Sequence, residues 1–249
     1  MRARLLDMGE VGPIRAYSIP HAVTAGLDHA SEPALILISP ASPVVSLDQT
    51  TGAPLEIDLG LCAEHGIPVV RRRGGLGTTL VGPGHLLLAL SVPRSRAAEI
   101  GVSEDAEELA ERFGQAIVAA LLALGAGTVA SSSGRVEIGG REVAHVHVLA
   151  LNEGLCCLAG LAIETDNGLA TSVLQEPMTD ATALRQTIIP PPDPHTVAEA
   201  AVSALESHFG LELFPSMPQP HEMEAIYDWD LRLHENGEID QQTAAGVAG

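Results

Sequence analysis

The chain has 249 residues, of which 46% are hydrophobic, so it can bury a sizeable core and is not an intrinsically disordered protein. Its formal net charge of −19 repels nucleic acid and anionic membranes. Aromatic residues make up 2% of the chain, which is too few to form a platform for stacked bases. All 13 of its Lys and Arg positions are Arg, which excludes any mechanism that needs a lysine amine of this chain.

Three cysteines, Cys62, Cys156 and Cys157, do not form the pattern of a disulfide framework, because their number is odd and two are adjacent. The first 18 residues lack the apolar stretch of a signal peptide. The apolar run Ala116–Leu124 is too short to span a bilayer. We therefore expect a cytoplasmic protein without nucleic-acid or membrane partners.

The N-terminal part predicts one helix followed by two short strands. Pro20 lies near the expected start of the helix, which runs to about His29, and Ser18 is its candidate cap. Ala34–Ser39 is a continuous apolar run typical of a buried strand, and Val44–Leu47 predicts another strand after a break.

The middle of the chain alternates between helix and strand signals. Asp58 is a candidate cap for a short helix that ends at Gly66, and a strand follows within residues 67–72. Leu86–Val92 predicts a further buried strand. The apolar periodicity of Ser103–Leu124 then predicts a long amphipathic helix with Ser103 as its cap.

The C-terminal part predicts an antiparallel group of strands and a well-delimited helix. Strands surround a tight turn at Gly139–Gly140, and Gly154–Glu164 is the expected return strand. Asp193 caps a helix that covers Pro194–Phe209, and Gly210 ends it. Helices interspersed with clustered antiparallel strands indicate an α/β or α+β fold, in which helices pack on a sheet.

We expect one domain over residues 1–215 and an acidic tail over residues 216–249, partly docked and partly mobile. The segment after Pro220 is polar and acidic, and mobility is expected from about Gln241. It carries the only tryptophan, Trp229, which is the candidate for docking on the domain.

The segment Ile67–Leu90, IPVVRRRGGLGTTLVGPGHLLLAL, resembles the signature of lipoate–protein ligases. In that signature a strand ends in two arginines, and an [ST]GGG loop, a short β segment and a further glycine follow. The matching positions are Arg71, Arg72, Gly75, Gly77 and Gly84. The chain is thus similar to the lipoate/biotin protein ligase and octanoyltransferase family.

Three further segments match this family in the same order along the chain. Gln49 matches a glutamine after the second strand, Gly139–His145 matches the family's GxKxxG segment, and Thr171–Gln175 resembles a strand that opens the last part of the domain. The resemblance covers roughly residues 15–210.

The resemblance implies an antiparallel or mixed sheet flanked by helices, related to the catalytic domains of class II synthetases. It implies a tunnel for a lipoyl, octanoyl or biotinyl chain, and transfer of the acyl group to a lysine of a lipoyl carrier domain. The implied ligands are lipoate, octanoate or an acyl adenylate, with ATP and magnesium if the chain is a ligase. The residues expected to line the carboxyl end are Gln49, Arg71, Arg72, Gly75, Leu76, Gly77, Thr78, Thr79 and Gly84.

The chain departs from the family at the residue on which the chemistry depends. Glu142 occupies the place of the family's central lysine, and a carboxylate there repels an acyl adenylate. Leu76 replaces the middle glycine of the loop, and Gly74 replaces the preceding Ser or Thr. No cysteine falls at a nucleophile position of the octanoyltransferases. These departures indicate lost or altered catalysis on a retained scaffold.

Three histidines and Glu142 remain as candidates for chemistry. His85 and His145 are the expected general bases, because histidine titrates near neutral pH. His145 and His147 also share one face of a strand, so a metal-binding protein or hydrolase is an alternative. Glu142 faces the other way in that case, unless a bulge intervenes. A second alternative is a non-catalytic accessory or ligand-binding protein on the same scaffold.

Overall fold

The computed structural model describes residues 1–48, 57–72, 78–101, 105–132, 134–165, 167–174 and 181–247. Several sequence predictions concern residues outside these ranges, namely those for Gln49, Gly74, Gly75, Leu76, Gly77, Ser103 and Gln175.

Two sheets form the framework of the described chain. The larger sheet has eight strands in the order β11-β1-β2-β6-β10-β9-β8-β7, and the smaller sheet has three in the order β4-β3-β5. The strands are β1 (Arg2–Val11), β2 (Ala34–Pro40), β3 (Val44–Asp48), β4 (Val69–Arg72), β5 (Thr79–Val81), β6 (His85–Pro93), β7 (Val129–Ser132), β8 (Arg135–Ile138), β9 (Arg141–Leu151), β10 (Gly154–Ala162) and β11 (Glu212–Pro215). Both sheets are mixed, because β1 is parallel to β2 and β11, and β3 is parallel to β4.

Helices cover both faces of the large sheet. They are α1 (Arg15–Ala25), α2 (Leu59–Glu64), α3 (Ala106–Ala123), α4 (Asn167–Val173), α5 (Leu184–Thr187), α6 (Pro194–Phe209) and α7 (Pro220–Val247), with a 3-10 helix at Arg94–Ile100. This arrangement confirms the expected fold class, a mixed sheet flanked by helices. No helix within the described ranges combines the length and apolar character that crossing a membrane requires.

The core has two layers because the central strands are apolar on both faces. On β2, Leu35 and Leu37 pack into the layer under α3 and α6, whereas Ile36 and Ile38 pack into the layer under α1 and α7. Alternation of side chains along a strand separates them in this way. The continuous apolar run at Ala34–Ser39 is therefore explained by burial on both sides of the sheet.

A third apolar cluster joins the small sheet to α2 and α4. Val45 and Leu47 of β3 pack there with Cys62 of α2 and Val173 of α4. Residues 171–173 thus belong to a helix, and the prediction of a strand over Thr171–Gln175 is wrong for them. Only Leu174 makes a β-bridge in the described part of that segment, to Ile57.

The prediction for the first helix is wrong in its bounds. The helix begins at Arg15 and ends at Ala25, and Ser18 lies inside it, where its hydroxyl donates to the Ile14 carbonyl at 3.2 Å. Pro20 lies in the helix interior, although proline usually marks a helix start. Burial of every residue from Ala16 to Thr24 holds the chain helical despite the missing N–H group.

Two of the helix caps predicted from the sequence are confirmed. Asp58 Oδ1 accepts from the Leu61 N–H at 2.9 Å, and Asp193 Oδ1 accepts from the Thr196 N–H at 3.0 Å. The long helix begins at Ala106 with Asp105 as its cap, so the prediction of Ser103 as cap is wrong. Both residue types suit the position, and sequence alone does not decide between neighbours two residues apart.

The C-terminal helix α7 packs on α1 and on β4. Ile226 and Leu233 are buried in the layer that also contains Ile19 of α1. The Trp229 ring lies 4.9 Å from the His21 ring between their centroids, so the tryptophan contacts the domain. The division into a domain and a partly mobile tail stays a prediction.

An ion pair buried beneath α7 generates a stability prediction. Arg4 donates to both carboxylate oxygens of Glu222 at 2.7 Å, and both side chains are almost fully buried. Arg4→Ala leaves the Glu222 carboxylate buried without its cation, so we expect the free energy of unfolding to fall by about 3 kcal/mol in urea denaturation. The matched control is Glu99→Gln at the exposed Arg96–Glu99 pair, where we expect a loss below about 1 kcal/mol. Equal losses in the two variants would contradict the assignment.

Candidate functional site

A mainly apolar cavity of about 110 Å³ lies between the large sheet and the small sheet. Its apolar wall comes from β5, β6, β9, β10 and α4, through Val81, Leu87, Ala144, Leu158, Gly160, Ala162, Leu169 and Ala170. Gly160 lies where the two sheets approach each other, and a Cβ atom there would be 3.0 Å from Val81 Cγ1. A glycine at this position therefore lets the small sheet close over the large one.

One wall of the cavity is polar, and we call Glu142, His145, His147 and Thr182 the polar wall. The four residues are linked to one another. Glu142 Oε1 lies 3.6 Å from His145 Nδ1, and the Glu142 carbonyl accepts from the Thr182 N–H at 2.7 Å. The His145 and His147 rings stack, with 4.8 Å between their centroids.

A β-bulge brings Glu142 to the same side as His145. The pairing between β8 and β9 passes from Val136 opposite Ala144 to Glu137 opposite Glu142, which leaves an extra residue on β9. On a regular strand, positions 142 and 145 point to opposite faces, so the bulge reverses the orientation that alternation alone predicts. Both side chains line the cavity as a result.

Arg135 holds the Glu142 carboxylate from the β8 side. Its Nε donates to Glu142 Oε2 at 2.7 Å, and Glu137 lies 3.7 Å from the same nitrogen. Arg135 is half-exposed and does not line the cavity. The Glu142 carboxylate, which lines the cavity, is therefore ion-paired from the β8 side.

His147 is fixed by a buried arginine of the small sheet. Arg72 is fully buried and donates to the Ser46 carbonyl and hydroxyl, each at 3.1 Å, and to His147 Nδ1, also at 3.1 Å. Because Nδ1 accepts a hydrogen bond, the proton of the neutral ring lies on Nε2. Sequence reasoning placed Arg72 at the ligand and used His147 only as a metal ligand. A direct contact of Arg72 with a ligand stays a prediction.

Two of the three cavity histidines have a lowered pKa. Burial lowers the pKa of His147 well below its ordinary value of 6.5, and the charge of Arg72 and the neighbouring His145 add to the effect. Burial lowers the pKa of His85 to about 4, against a smaller opposing effect of its hydrogen bond with Gly82. Both rings are neutral at pH 7, and so low a pKa makes His85 a weak general base.

The remaining predicted site residues lie in different surroundings. Thr79 and His85 line the cavity, whereas Arg71 and Thr78 do not. Gly84 has a positive φ of 86°, and a Cβ atom there would be 2.6 Å from the Glu164 carbonyl oxygen. Its carbonyl accepts from the Ile163 and Glu164 N–H groups, so this glycine shapes the connection between β10 and the segment after it.

Within the described ranges, no third metal ligand joins His145 and His147. Among the described residues, no group of three or more His, Cys, Asp or Glu side chains is placed to hold an ion. His147 directs Nδ1 towards Arg72. The cysteines are buried away from the cavity wall, and burial raises the pKa of Cys156 to about 11, so its thiol is not ionised at neutral pH.

Comparison with known proteins agrees with the architecture. The family model "Lipoyl protein ligase A/B catalytic domain" matches residues 14–206. No curated protein sequence matches the chain.

Three solved structures show the same fold at low sequence identity. A putative lipoate protein ligase from T. acidophilum with bound lipoic acid is 16% identical, with 92% of this chain and 94% of that chain covered and a TM-score of 0.79. A lipoate-protein ligase A bound with ATP is 16% identical, with 97% and 99% covered and a TM-score of 0.83. A bi-partite lipoate protein ligase, described with its E2 lipoyl domain from Thermoplasma acidophilum, is 16% identical, with 97% and 96% covered and a TM-score of 0.83.

The lowered pKa values generate a prediction for the pH dependence of stability. Because His147 has a pKa below 6.5 when folded, unfolding takes up a proton below pH 6.5, and the free energy of unfolding falls as the pH falls. Each such histidine contributes a slope of up to about 1.4 kcal/mol per pH unit. We expect His147→Gln to reduce the slope of the free energy of unfolding against pH between pH 6.5 and 5, measured by urea denaturation at several pH values. The control His195→Gln changes an exposed histidine and is expected to leave the slope unchanged. An unchanged slope in His147→Gln would refute the assignment.

Proposed function

Because the chain belongs to the lipoyl protein ligase A/B catalytic domain family, we propose that it binds a lipoyl or octanoyl chain for acyl transfer to a carrier-protein lysine. The observation that carries this proposal is the apolar cavity between the two sheets, which has a polar wall on one side. An aliphatic chain in such a cavity gains about 0.8 kcal/mol for each methylene group removed from water. The carbonyl group of the acyl chain then lies at the polar wall, and acyl transfer takes place there.

The chemistry differs from that of a ligase with a central lysine. The chain has no lysine, and we assign Glu142 of the polar wall to the place of the family's lysine. No Arg or Lys is found among the described residues of the cavity wall. The described residues therefore do not fit the phosphate of an acyl adenylate, and we assign no step to ATP or magnesium.

An acyl group that arrives already activated, as a thioester, fits this wall better than a free acid does. His145 is the base that remains for the incoming lysine amine, because the low pKa of His85 makes that ring a weak base. The amine attacks the thioester carbonyl carbon, the C–S bond breaks, and the departing thiolate receives the proton that His145 took from the amine. Glu142 lies 3.6 Å from His145 Nδ1 and stabilises the imidazolium between these two proton transfers. These roles need neither a lysine nor a cysteine of this chain.

A second candidate is a non-catalytic accessory protein on the same scaffold. The observation that favours it is the ion pair of Glu142 with Arg135. A catalytic amine is expected at this place, and the group proposed there is a carboxylate that already binds a cation. In this case the chain binds the acyl group and a partner chain supplies the chemistry.

Transfer to a carrier domain distinguishes the two candidates. We expect the purified protein, an octanoyl thioester donor and a lipoyl carrier domain to give an octanoyl mass shift on the carrier lysine, detected by mass spectrometry. We expect no mass shift from lipoate, ATP and magnesium, because the described cavity wall offers no cation to an adenylate. Binding of the acyl chain without any mass shift would favour the accessory protein.

A bulky side chain at the cavity tests where the acyl chain binds. Ala170 of α4 lines the cavity and is half-buried, so Ala170→Trp is expected to weaken octanoyl-ligand binding at least about tenfold by calorimetry. The matched control is Ser172→Trp on the same helix, at an exposed position outside the cavity wall. Equal affinities in the two variants would place the acyl chain elsewhere.

A further inference from the structure

The charges of the cavity wall select among the forms in which an acyl chain can be presented. Among the described residues that line the cavity, Glu142 is the one carboxylate, and no guanidinium or ammonium group is present. Arg135 binds Glu142 from outside the wall, and Arg72 is buried against Ser46 and His147. A second carboxylate brought to this wall meets a like charge, and no described residue of the lining places a cation between the two.

The polar wall offers both donors and acceptors of hydrogen bonds, and the His145 ring contains one of each when it is neutral. The Glu142 carboxylate only accepts hydrogen bonds. The neutral His147 ring carries its proton on Nε2, because Arg72 occupies Nδ1, so Nε2–H is the donor of this ring. The Thr182 hydroxyl donates its proton to Gln186 Oε1 at 3.3 Å, so it supplies no further donor.

The acceptor of Glu142 and the donor of His147 together match an amide. A carboxylate ligand has acceptors only and carries a negative charge. A thioester or ester has a carbonyl for the donor but no N–H group for the acceptor. A secondary amide has both groups and no charge, so it satisfies both sides of the wall.

We propose that the polar wall binds the uncharged secondary amide of an acylated lysine, with Glu142 accepting the amide N–H and His147 donating to the carbonyl oxygen. The inference rests on the proposed function, since the acyl chain must lie in the same cavity. It names the acylated carrier lysine, the product of acyl transfer, as the form that the site holds most tightly. Arg72 is a positioning residue in this site, because it fixes the tautomer of His147 without lining the cavity.

Binding of three matched ligands tests this inference. The probes are octanoate, methyl octanoate and Nα-acetyl-Nε-octanoyl-lysine amide, titrated into the full chain by calorimetry at pH 7.5. We expect the amide to bind at least about tenfold more tightly than octanoate, and methyl octanoate to lie between them. An affinity of octanoate equal to or greater than that of the amide would overturn the inference and leave the proposed function standing.

Substitution of the Glu142 carboxylate gives a second test, which distinguishes a role in ligand binding from a purely structural role. Glu142→Gln removes the charge and keeps an acceptor oxygen, so we expect octanoate to gain affinity and the preference for the amide to fall below about threefold. Glu137→Gln is the matched control, because Glu137 lies beside the same Arg135 but does not line the cavity. We expect Glu137→Gln to keep the preference of the unmodified chain.

The outcomes separate the two proposals. If the unmodified chain binds none of the three ligands, the proposed function itself is refuted. A preference for the amide that Glu142→Gln leaves unchanged would overturn the inference alone. Thermal melting of both variants checks that a change in affinity does not come from unfolding.

Discussion

The buried hydrogen bonds of Arg72 connect the two sheets, and the candidate site depends on this connection. The guanidinium belongs to β4 of the small sheet, where it also binds Ser46 of β3, and it donates to His147 on β9 of the large sheet. Hydrogen bonds from a charged group contribute about 1.5–3 kcal/mol each. The cavity lies between the same two sheets, and these bonds fix the orientation of one histidine on its wall.

A single β-bulge decides the electrostatics of the cavity. It turns the Glu142 carboxylate towards His145, where Arg135 holds it by its outer oxygen. Without the bulge the carboxylate would face the opposite side of the sheet, and the cavity wall would be neutral. The chain thus has the scaffold of its family, with a carboxylate on the wall of the cavity.

Much of the fold follows from local chemistry that is visible in the sequence. Asp58 and Asp193 cap helices because their carboxylates accept from free N–H groups, and Gly210 ends a helix because it adopts a positive φ of 61° without strain. The apolar run at Ala34–Ser39 indicates a strand buried on both faces. Local signals fail where packing overrides them, as at Pro20 inside a helix, and where a strand pattern at residues 171–173 forms a helix against the small sheet.

By itself the sequence determined the family, the fold class and the absence of lysine, because each of these is a matter of residue identity and spacing. The correspondence of Glu142 to the family's lysine stays a prediction. Only the tertiary structure decided which side chains meet. Arg72 was expected at the ligand and lies buried against His147, 75 positions away along the chain. Contacts of this range depend on how the two sheets pack and on one irregular pairing between neighbouring strands. Neither the packing nor the bulge leaves a periodic signal that the sequence displays.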